Sequence, residues 1–160
     1  MNIFYLDEDV SKAAQYHNDK HCVKMILEYA QLMCTAHREL DGPNVDEHLY
    51  KSTHKNHPSA KWVRENAYNY WWLYQLWIKL CDEYTHRYGK THLTDTKLRK
   101  LLRYPPKTIP LNTIFTQPPP AMPDDVKHID SIMAYRNYYK KYKSHLATWT
   151  KRETPSWYNV

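Results

Sequence analysis

The sequence predicts an all-α protein that forms a single compact domain of three to four helices with a long proline-rich loop. Apolar residues recur at helical spacing in three long stretches, and strand signals are confined to residues 3–6. A chain of 160 residues can bury one hydrophobic core and is too short for two. We therefore expect residues 1–160 to fold as one helical unit.

The two longest helices are expected in the first part of the chain. The first is predicted over residues 11–39, because apolar positions repeat at helical spacing until Gly42 and Pro43 end the pattern. The second is predicted to begin at Pro58, a residue favoured in the first turn, and to end at Gly89. The second helix would supply much of the core.

The rest of the chain is expected to contain less helix. A short basic helix is predicted over residues 94–103, and the proline-rich loop over residues 104–123 contains seven prolines. Because proline lacks a backbone N–H, no regular helix is expected in that loop. A last helix is predicted over residues 124–151.

The composition excludes several functional classes. With two glycines, the chain cannot form the glycine-rich loops that bind phosphates in dinucleotide-binding and P-loop proteins. No apolar run reaches the length of a membrane span, and the first ten residues do not resemble a signal peptide, so we expect a cytoplasmic protein without a membrane partner. Cys22, Cys34 and Cys81 are expected to be buried thiols.

A polar ridge is predicted along the first helix. Its members lie within about 80° of one another on a helical projection, opposite the apolar stripe; they are His17, His21, Lys24, Glu28, Gln31 and Thr35. The ridge is either the solvated face of an amphipathic helix or a catalytic line that offers a base, an amine and a carboxylate. The candidate catalytic residues are His17, His21, Lys24, Glu28 and Asp19.

A candidate anion site precedes the second predicted helix. The free N–H groups and the positive dipole end of a helix favour a bound phosphate or carboxylate at this position. The candidate anion-binding or substrate-binding residues are His54, Asn56, His57, Trp62 and Arg64. The alternative interpretation is that Asn56 or His57 caps the helix and that His54 is merely exposed.

Four histidines suggest a metal site as a further hypothesis. His17 and His21 are four residues apart on one helix face, and His54 and His57 could complete a set of ligands. Such a set would suit zinc, iron or manganese. A divalent metal is expected only under this alternative.

Positive charge is concentrated near the C-terminus. The chain carries a net charge of +6, and its last thirty residues contain six Lys and Arg residues against one Glu. The candidate nucleic-acid-binding residues are Arg136, Lys140, Lys143, Lys151, Arg152, Trp157 and Tyr158. Cations of this kind neutralise phosphates, and aromatic rings stack on bases. The alternative is a solvated basic helix face with Tyr135, Tyr139 and Tyr142 in the core and a terminal Trp packed against it.

Several short motifs occur in an order that is similar to a known family. They are YK at residues 50–51, NHP at 56–58, EYTHRYG at 83–89 and TPSWY at 154–158. In this order the chain resembles the phage endonuclease V type pyrimidine-dimer DNA glycosylases, which also cleave at abasic sites. It resembles a set of small phage-borne proteins of unassigned role more closely. A phage origin would place the protein in the host cytoplasm.

The resemblance to the glycosylases implies a mechanism and its residues. In that family an all-α domain bends the duplex, a terminal amine attacks C1′ of the damaged nucleotide to form a Schiff base, and a Glu on the first helix assists the lyase step. Because Asn2 is bulky, Met1 is expected to remain and to supply the amine, unless Lys24 does so. The nearest carboxylates to the expected Glu position are Asp19 and Glu28, and His21 is a further candidate base.

Three functions from different classes follow. The leading hypothesis is a DNA glycosylase and abasic-site lyase that needs no cofactor and acts on DNA or its nucleotides. The first alternative is a metal-dependent hydrolase of nucleotides or nucleic acid that uses the four histidines. The second alternative is a module that binds nucleic acid or a host protein through the proline-rich loop without catalysis.

Overall fold

The computed structural model describes residues 1–159 and confirms the all-α fold class. No strand is formed in that part of the chain. The α-helices are α1 Val10–Tyr16, α2 Asp19–Asp41, α3 Pro58–Glu65, α4 Ala67–Tyr88, α5 Leu93–Leu98 and α6 Ser131–Tyr142. The predicted number of three to four helices is too low, because each of the two longest predicted helices is interrupted once.

The first interruption lies at Asn18, between α1 and α2. The backbone of Asn18 is extended at ψ 166°, and its side-chain oxygen accepts a hydrogen bond from the backbone N–H of His21. Asparagine competes with helical hydrogen bonds in this way, which makes it a good N-cap. The single helix predicted over residues 11–39 is therefore two helices that meet at Asn18.

The second interruption lies at Asn66, between α3 and α4. Asn66 is extended, at φ −158° and ψ 165°, and its side chain accepts a hydrogen bond from the backbone N–H of Asn69. Its amide nitrogen donates to the carbonyl oxygen of Ile114 in the proline-rich loop. Gly89 ends α4 in the left-handed conformation at φ 69°, as predicted.

The last two predicted helices are both shorter than expected. The helix predicted over residues 94–103 is formed only as α5, which ends at Leu98. The helix predicted over residues 124–151 is formed only as α6, with Asp130 as its N-cap. Single 3-10 turns at Asp124–Val126 and Ser144–Leu146 occupy parts of the remaining range.

The N-terminal segment, residues 1–9, has no regular secondary structure and contributes to the core. Ile3, Phe4, Tyr5 and Leu6 are all buried. The ring of Phe4 packs against Tyr135 and Tyr139 of α6 and against the histidines at the start of α2. The segment therefore lies between α2 and α6, and its path determines where residue 1 is placed.

Side-chain donors hold the proline-rich loop against the helices. The indole N–H of Trp62 donates to the carbonyl oxygen of Thr116, and Ser131 and Tyr135 of α6 donate to the carbonyl oxygens of Pro118 and Pro119. The loop also donates hydrogen bonds: the backbone N–H groups of Lys107 and Thr108 donate to the carboxylate of Asp41. No regular helix forms there, as expected.

The cysteines are free and buried, as predicted. Burial raises the pKa of the Cys22 thiol to about 12 and that of Cys34 to about 11. Among the described residues, no helix is both long enough and apolar enough to cross a bilayer.

Candidate active-site groove

A groove of about 570 Å³ runs along the outer side of α2. We call it the α2 groove. Its lining residues come from the N-terminal segment, α2, the loop after α2 and the beginning of α5: Met1, Val23, Lys24, Leu27, Glu28, Gln31, Tyr50, His54, His92, Leu93 and Thr94. Two residues of the predicted catalytic set, Lys24 and Glu28, are therefore in the groove together with residue 1.

Glu28 contributes a carboxylate with one unoccupied oxygen. Its side chain is 18% exposed, and its Oε2 atom is buried without a hydrogen-bond partner in the described structure. The nearest cation is the Lys24 ammonium, one helical turn away, whose Nζ lies 3.6 Å from Oε2. The two groups form an ion pair, but the distance between Nζ and Oε2 is too long for a hydrogen bond. The Oε2 atom of Glu28 is therefore available as a hydrogen-bond acceptor.

The α-amino group of Met1 lies near the candidate anion site at the beginning of α3. Burial lowers the pKa of His57, and the positive charges of this amine and of His54 lower it further. The amine is therefore close enough to the His57 imidazole for its charge to act on it. Met1 and Glu28 line the same groove.

The N-terminal segment is tied to α2 by a buried hydrogen-bond relay. The backbone N–H of Phe4 donates to the Tyr29 hydroxyl across 3.0 Å, and that hydroxyl lies 2.7 Å from Nε2 of His17. Nδ1 of His17 is 2.7 Å from the carbonyl oxygen of Ala13. Burial lowers the pKa of His17 to about 4, so the imidazole is neutral near pH 7.

His21 is also engaged within the protein. Its Nδ1 lies 2.7 Å from the Tyr139 hydroxyl, and its ring stacks on Phe4 at 4.2 Å. Burial, followed by the positive charges of His17, Lys143, Lys24 and Lys20, lowers its pKa to about 2.

The prediction of a solvated polar ridge is wrong for His17, His21 and Thr35. All three are buried. Tyrosine hydroxyls bond both histidines, and Thr35 donates to the carbonyl oxygen of Thr53. Polar side chains with such internal partners can be buried at little cost. Lys24, Glu28 and Gln31 are the ridge residues that line the groove.

Asp19 is part of an ion network outside the groove. One of its carboxylate oxygens accepts a hydrogen bond from Arg87 across 3.0 Å, and the carboxylate also bonds the backbone and hydroxyl of Thr150. Burial opposes ionisation of Asp19, but these bonds outweigh it and lower its pKa. Asp19 therefore joins α2 to the C-terminal segment.

The residues of the candidate anion site have different partners: one caps a helix, two are exposed, one is buried, and one bonds a carbonyl oxygen. His57 caps α3 by accepting a hydrogen bond from the backbone N–H of Ser59, as the alternative interpretation expected. His54 and Asn56 are exposed, and Trp62 is buried against the proline-rich loop. Arg64 donates to the carbonyl oxygen of Lys55 and has a second guanidinium nitrogen, Nη1, that is buried without a partner.

The four histidines of the metal hypothesis do not form a cluster. Both ring nitrogens of His17 are hydrogen-bonded within the protein, and Nδ1 of His57 is used by the α3 cap. In residues 1–159, no group of three or more His, Cys, Asp or Glu side chains is arranged to hold a metal ion. The geometry therefore gives this ligand set no support.

Four of the C-terminal candidates have internal contacts. Arg136 bonds the carbonyl oxygen of Leu6 and the carboxylate of Asp7, and Arg152 bonds Glu83. Trp157 is buried against Tyr16 and Tyr139, and Tyr158 is partly buried against Trp149. This arrangement matches the alternative in which a terminal Trp packs on the core.

The lysines of this region differ in their surroundings. Lys151 is exposed, and its ammonium lies 3.4 Å from the carbonyl oxygen of His86. Lys143 lies over the ring of Tyr138 at 5.2 Å, and Lys140 is partly exposed on α6. The positive charge of Lys143 acts on the His21 ring together with the charges of Lys20 and Lys24.

Two tyrosine predictions for α6 are confirmed and one is wrong. Tyr135 and Tyr139 are buried in the core. Tyr142 is 38% exposed and donates to the carboxylate of Asp125, because α6 ends at this residue and the chain turns away.

Sequence reasoning missed the apolar part of the groove. The apolar repeat of the first predicted helix includes Val23 and Leu27 and so predicts that both are buried. In the structure both are exposed and line the groove with Leu93. One sequence feature could have indicated that Val23 and Leu27 are exposed. They are separated by one helical turn and lie on the side of the helix that also carries the polar Lys24. No local pattern indicates that Leu93 approaches them.

Comparison with known proteins identifies the family. Residues 1–96, well over half of the chain, match the family model described as pyrimidine dimer DNA glycosylase. No curated protein and no solved structure matches the chain. Every residue that lines the α2 groove falls within the matched range. The chain therefore belongs to the pyrimidine dimer DNA glycosylase family.

Proposed function

We propose that the α2 groove is the active site of a pyrimidine-dimer DNA glycosylase that also cleaves the strand at the resulting abasic site. Family membership supports the glycosylase function, and the lyase step is our addition. The observation that carries the proposal is that Met1 lines the same groove as Glu28, whose buried Oε2 has no hydrogen-bond partner.

Two amines line the groove, and Met1 is the better nucleophile. Lys24 forms an ion pair with Glu28, so attack by Lys24 would break that pair next to the carboxylate that the lyase step needs as its base. The positive charge of the Met1 amine acts on the imidazole of His57. We therefore assign the attack on C1′ to the α-amino nitrogen of Met1.

The proposed reaction consists of a substitution at C1′ followed by an elimination between C2′ and C3′. The neutral Met1 nitrogen forms a bond to C1′ as the bond between C1′ and the base breaks, and the departing base takes up a proton from water. The nitrogen then loses a proton, and O4′ gains one as the C1′–O4′ bond breaks, which leaves a protonated imine. The imine acidifies the C2′–H bond; Glu28 takes that proton as the C3′–O bond breaks and the 3′ phosphate leaves. A carboxylate with an unoccupied oxygen in the groove suits this proton transfer.

Positive charge beside the groove supports DNA as the substrate. Lys20 and Lys24 extend from α2, and Lys143 reaches the same region from the turn after α6. Lysines that neutralise phosphates supply most of the sequence-independent affinity for a duplex. The exposed apolar side chains of Val23, Leu27 and Leu93 would contact the sugar and base of the extruded nucleotide.

Reductive trapping tests the proposal. Protein with a free α-amino group on Met1 is incubated with an abasic duplex or a thymine-dimer duplex in the presence of borohydride, and the adduct is located by mass spectrometry. We expect a covalent adduct on residue 1. An adduct should also form with Lys24→Gln, and it should be lost when Met1 is acetylated. If neither duplex gives an adduct, the lyase mechanism is wrong; an adduct on a lysine would disprove the role of Met1.

A further inference from the structure

Buried tyrosine–histidine pairs occur at several places in the core, and two of them form a natural comparison. Tyr29 pairs with His17 at 2.7 Å, and Tyr70 pairs with His37 at 2.8 Å. Both tyrosines are fully buried. The pairs differ in what else the hydroxyl binds: Tyr70 donates to the carbonyl oxygen of Leu102, whereas Tyr29 accepts from the backbone of the N-terminal segment.

The direction of each hydrogen bond in the Tyr29 relay is fixed by its neighbours. A carbonyl oxygen can only accept, so Nδ1 of His17 carries the proton that is donated to Ala13. The other nitrogen, Nε2, is therefore the acceptor for the Tyr29 hydroxyl. The Tyr29 oxygen then remains free to accept the N–H of Phe4. Only this arrangement satisfies all three bonds.

The relay fixes the chain close to the proposed nucleophile. Phe4 is three residues from Met1, and Tyr29 directly follows Glu28 on α2. A buried backbone N–H that loses its acceptor keeps the full cost of its desolvation, so the segment would move to find another partner. Any such movement would shift the amine relative to the carboxylate.

We propose that Tyr29 is a positioning residue for catalysis, whose hydroxyl, held by His17, places the α-amino group of Met1 relative to Glu28. This inference rests on the proposed function, because it assumes that the Met1 amine is the nucleophile. Tyr29 itself does not contact the substrate: it is buried beneath the N-terminal segment. Its effect is therefore on the rate of attack and not on DNA affinity.

The test compares Tyr29→Phe with Tyr70→Phe. Each variant loses one buried hydroxyl that is paired with a histidine, so similar losses of thermal stability are expected. Single-turnover borohydride trapping on an abasic duplex is measured with protein in excess at a temperature where both variants are folded. We expect Tyr29→Phe to lower the trapping rate constant by roughly tenfold to a hundredfold, as expected for a shift of about 1 Å. Its Kd and final trapped fraction should be unchanged, and Tyr70→Phe should react at the wild-type rate.

A second variant leaves Tyr29 intact. Replacement of Phe4 by its α-hydroxy analogue converts one backbone amide to an ester and removes only the N–H that Tyr29 accepts. We expect the same decrease in the rate constant. Wild-type rates in both altered proteins, or an equal decrease in Tyr70→Phe, would overturn the inference. If the wild-type protein forms no adduct, the proposed function fails, and the role of Tyr29 fails with it.

Discussion

The carboxylate of Glu83 and the guanidinium of Arg87 lie one turn apart on α4 and are joined by a 2.7 Å hydrogen bond. Neither side chain is more than 3% exposed. Burial opposes ionisation of Glu83, but hydrogen bonds from Arg152 and Arg87 outweigh it and lower its pKa. Arg87 also bonds Asp19 and the carbonyl oxygen of Gln15, so this pair joins α1, α2 and α4.

We expect Arg87→Met to destabilise the protein by about 3–5 kcal/mol, because it removes the central cation of a buried network. Urea unfolding measures this change. The matched control is Lys141→Met, which breaks the exposed pair between Lys141 and Asp125 and should leave the free energy of unfolding almost unchanged, because solvent screens such a pair. Equal effects of the two substitutions would show that the buried network does not stabilise the fold.

Acid should destabilise the fold through His17. Burial lowers its pKa to about 4, whereas an unfolded histidine has a pKa of about 6.5. Between these values the unfolded chain binds more protons, so the free energy of unfolding falls as the pH decreases from about 6.5 to about 4. The loss from this group is roughly 3 kcal/mol.

Denaturant unfolding at several pH values tests this prediction. His17→Gln should lower stability at pH 7 and should make the dependence on pH shallower between pH 4 and 6.5. The matching change at the exposed residue His128 should leave the slope unaltered. A slope in His17→Gln as steep as that of the wild type would show that other groups cause the acid sensitivity.

Glu28→Gln should slow strand cleavage at abasic sites by roughly a hundredfold or more, because general-base catalysis contributes about 10²–10⁴. The amide has the shape of the carboxylate and cannot take the C2′ proton. Glu39→Gln is the control: Glu39 also lies on α2 and is paired with Lys55, and it does not line the groove. Cleavage of an abasic duplex at the wild-type rate by Glu28→Gln would exclude Glu28 as the base.

Duplex binding should depend on Lys20 and Lys143. Each is expected to neutralise about one phosphate, so Lys20→Gln or Lys143→Gln should lower affinity for damaged and undamaged duplexes alike. The slope of log K against log salt should decrease by about 1 in each variant. Lys127→Gln is the control, because Lys127 is paired with Asp124 and is not among the lysines whose charges act on His21. If the salt dependence of binding is unchanged in both variants, Lys20 and Lys143 do not contact the DNA and the duplex binds to another surface.

The fold class was predictable from the sequence because apolar periodicity reports which side of a helix is buried. The interruptions at Asn18 and Asn66 were not predicted, since asparagine is tolerated inside helices and its capping role depends on the backbone around it. Both asparagines become caps where the neighbouring elements require the chain to change direction.

The site was only partly predictable, because its contacts are distant in sequence. Lys24 and Glu28 could be paired from helical spacing alone. The burial of His21 depends on Tyr139, which is 118 residues away, and no local pattern contains that contact. For the same reason, the sequence did not reveal that Leu93 lies beside α2.

The bond between Arg136 and the carbonyl oxygen of Leu6 spans 130 residues and has a consequence for biosynthesis. Domains can begin to fold during translation, from the N-terminus onward. Every groove-lining residue precedes residue 95, yet the N-terminal segment obtains its contacts with α6 only after residues 131–142 have left the ribosome. A nascent chain therefore carries the groove-lining groups long before it can place them, and activity should appear only after residues 131–142 have been synthesised and packed.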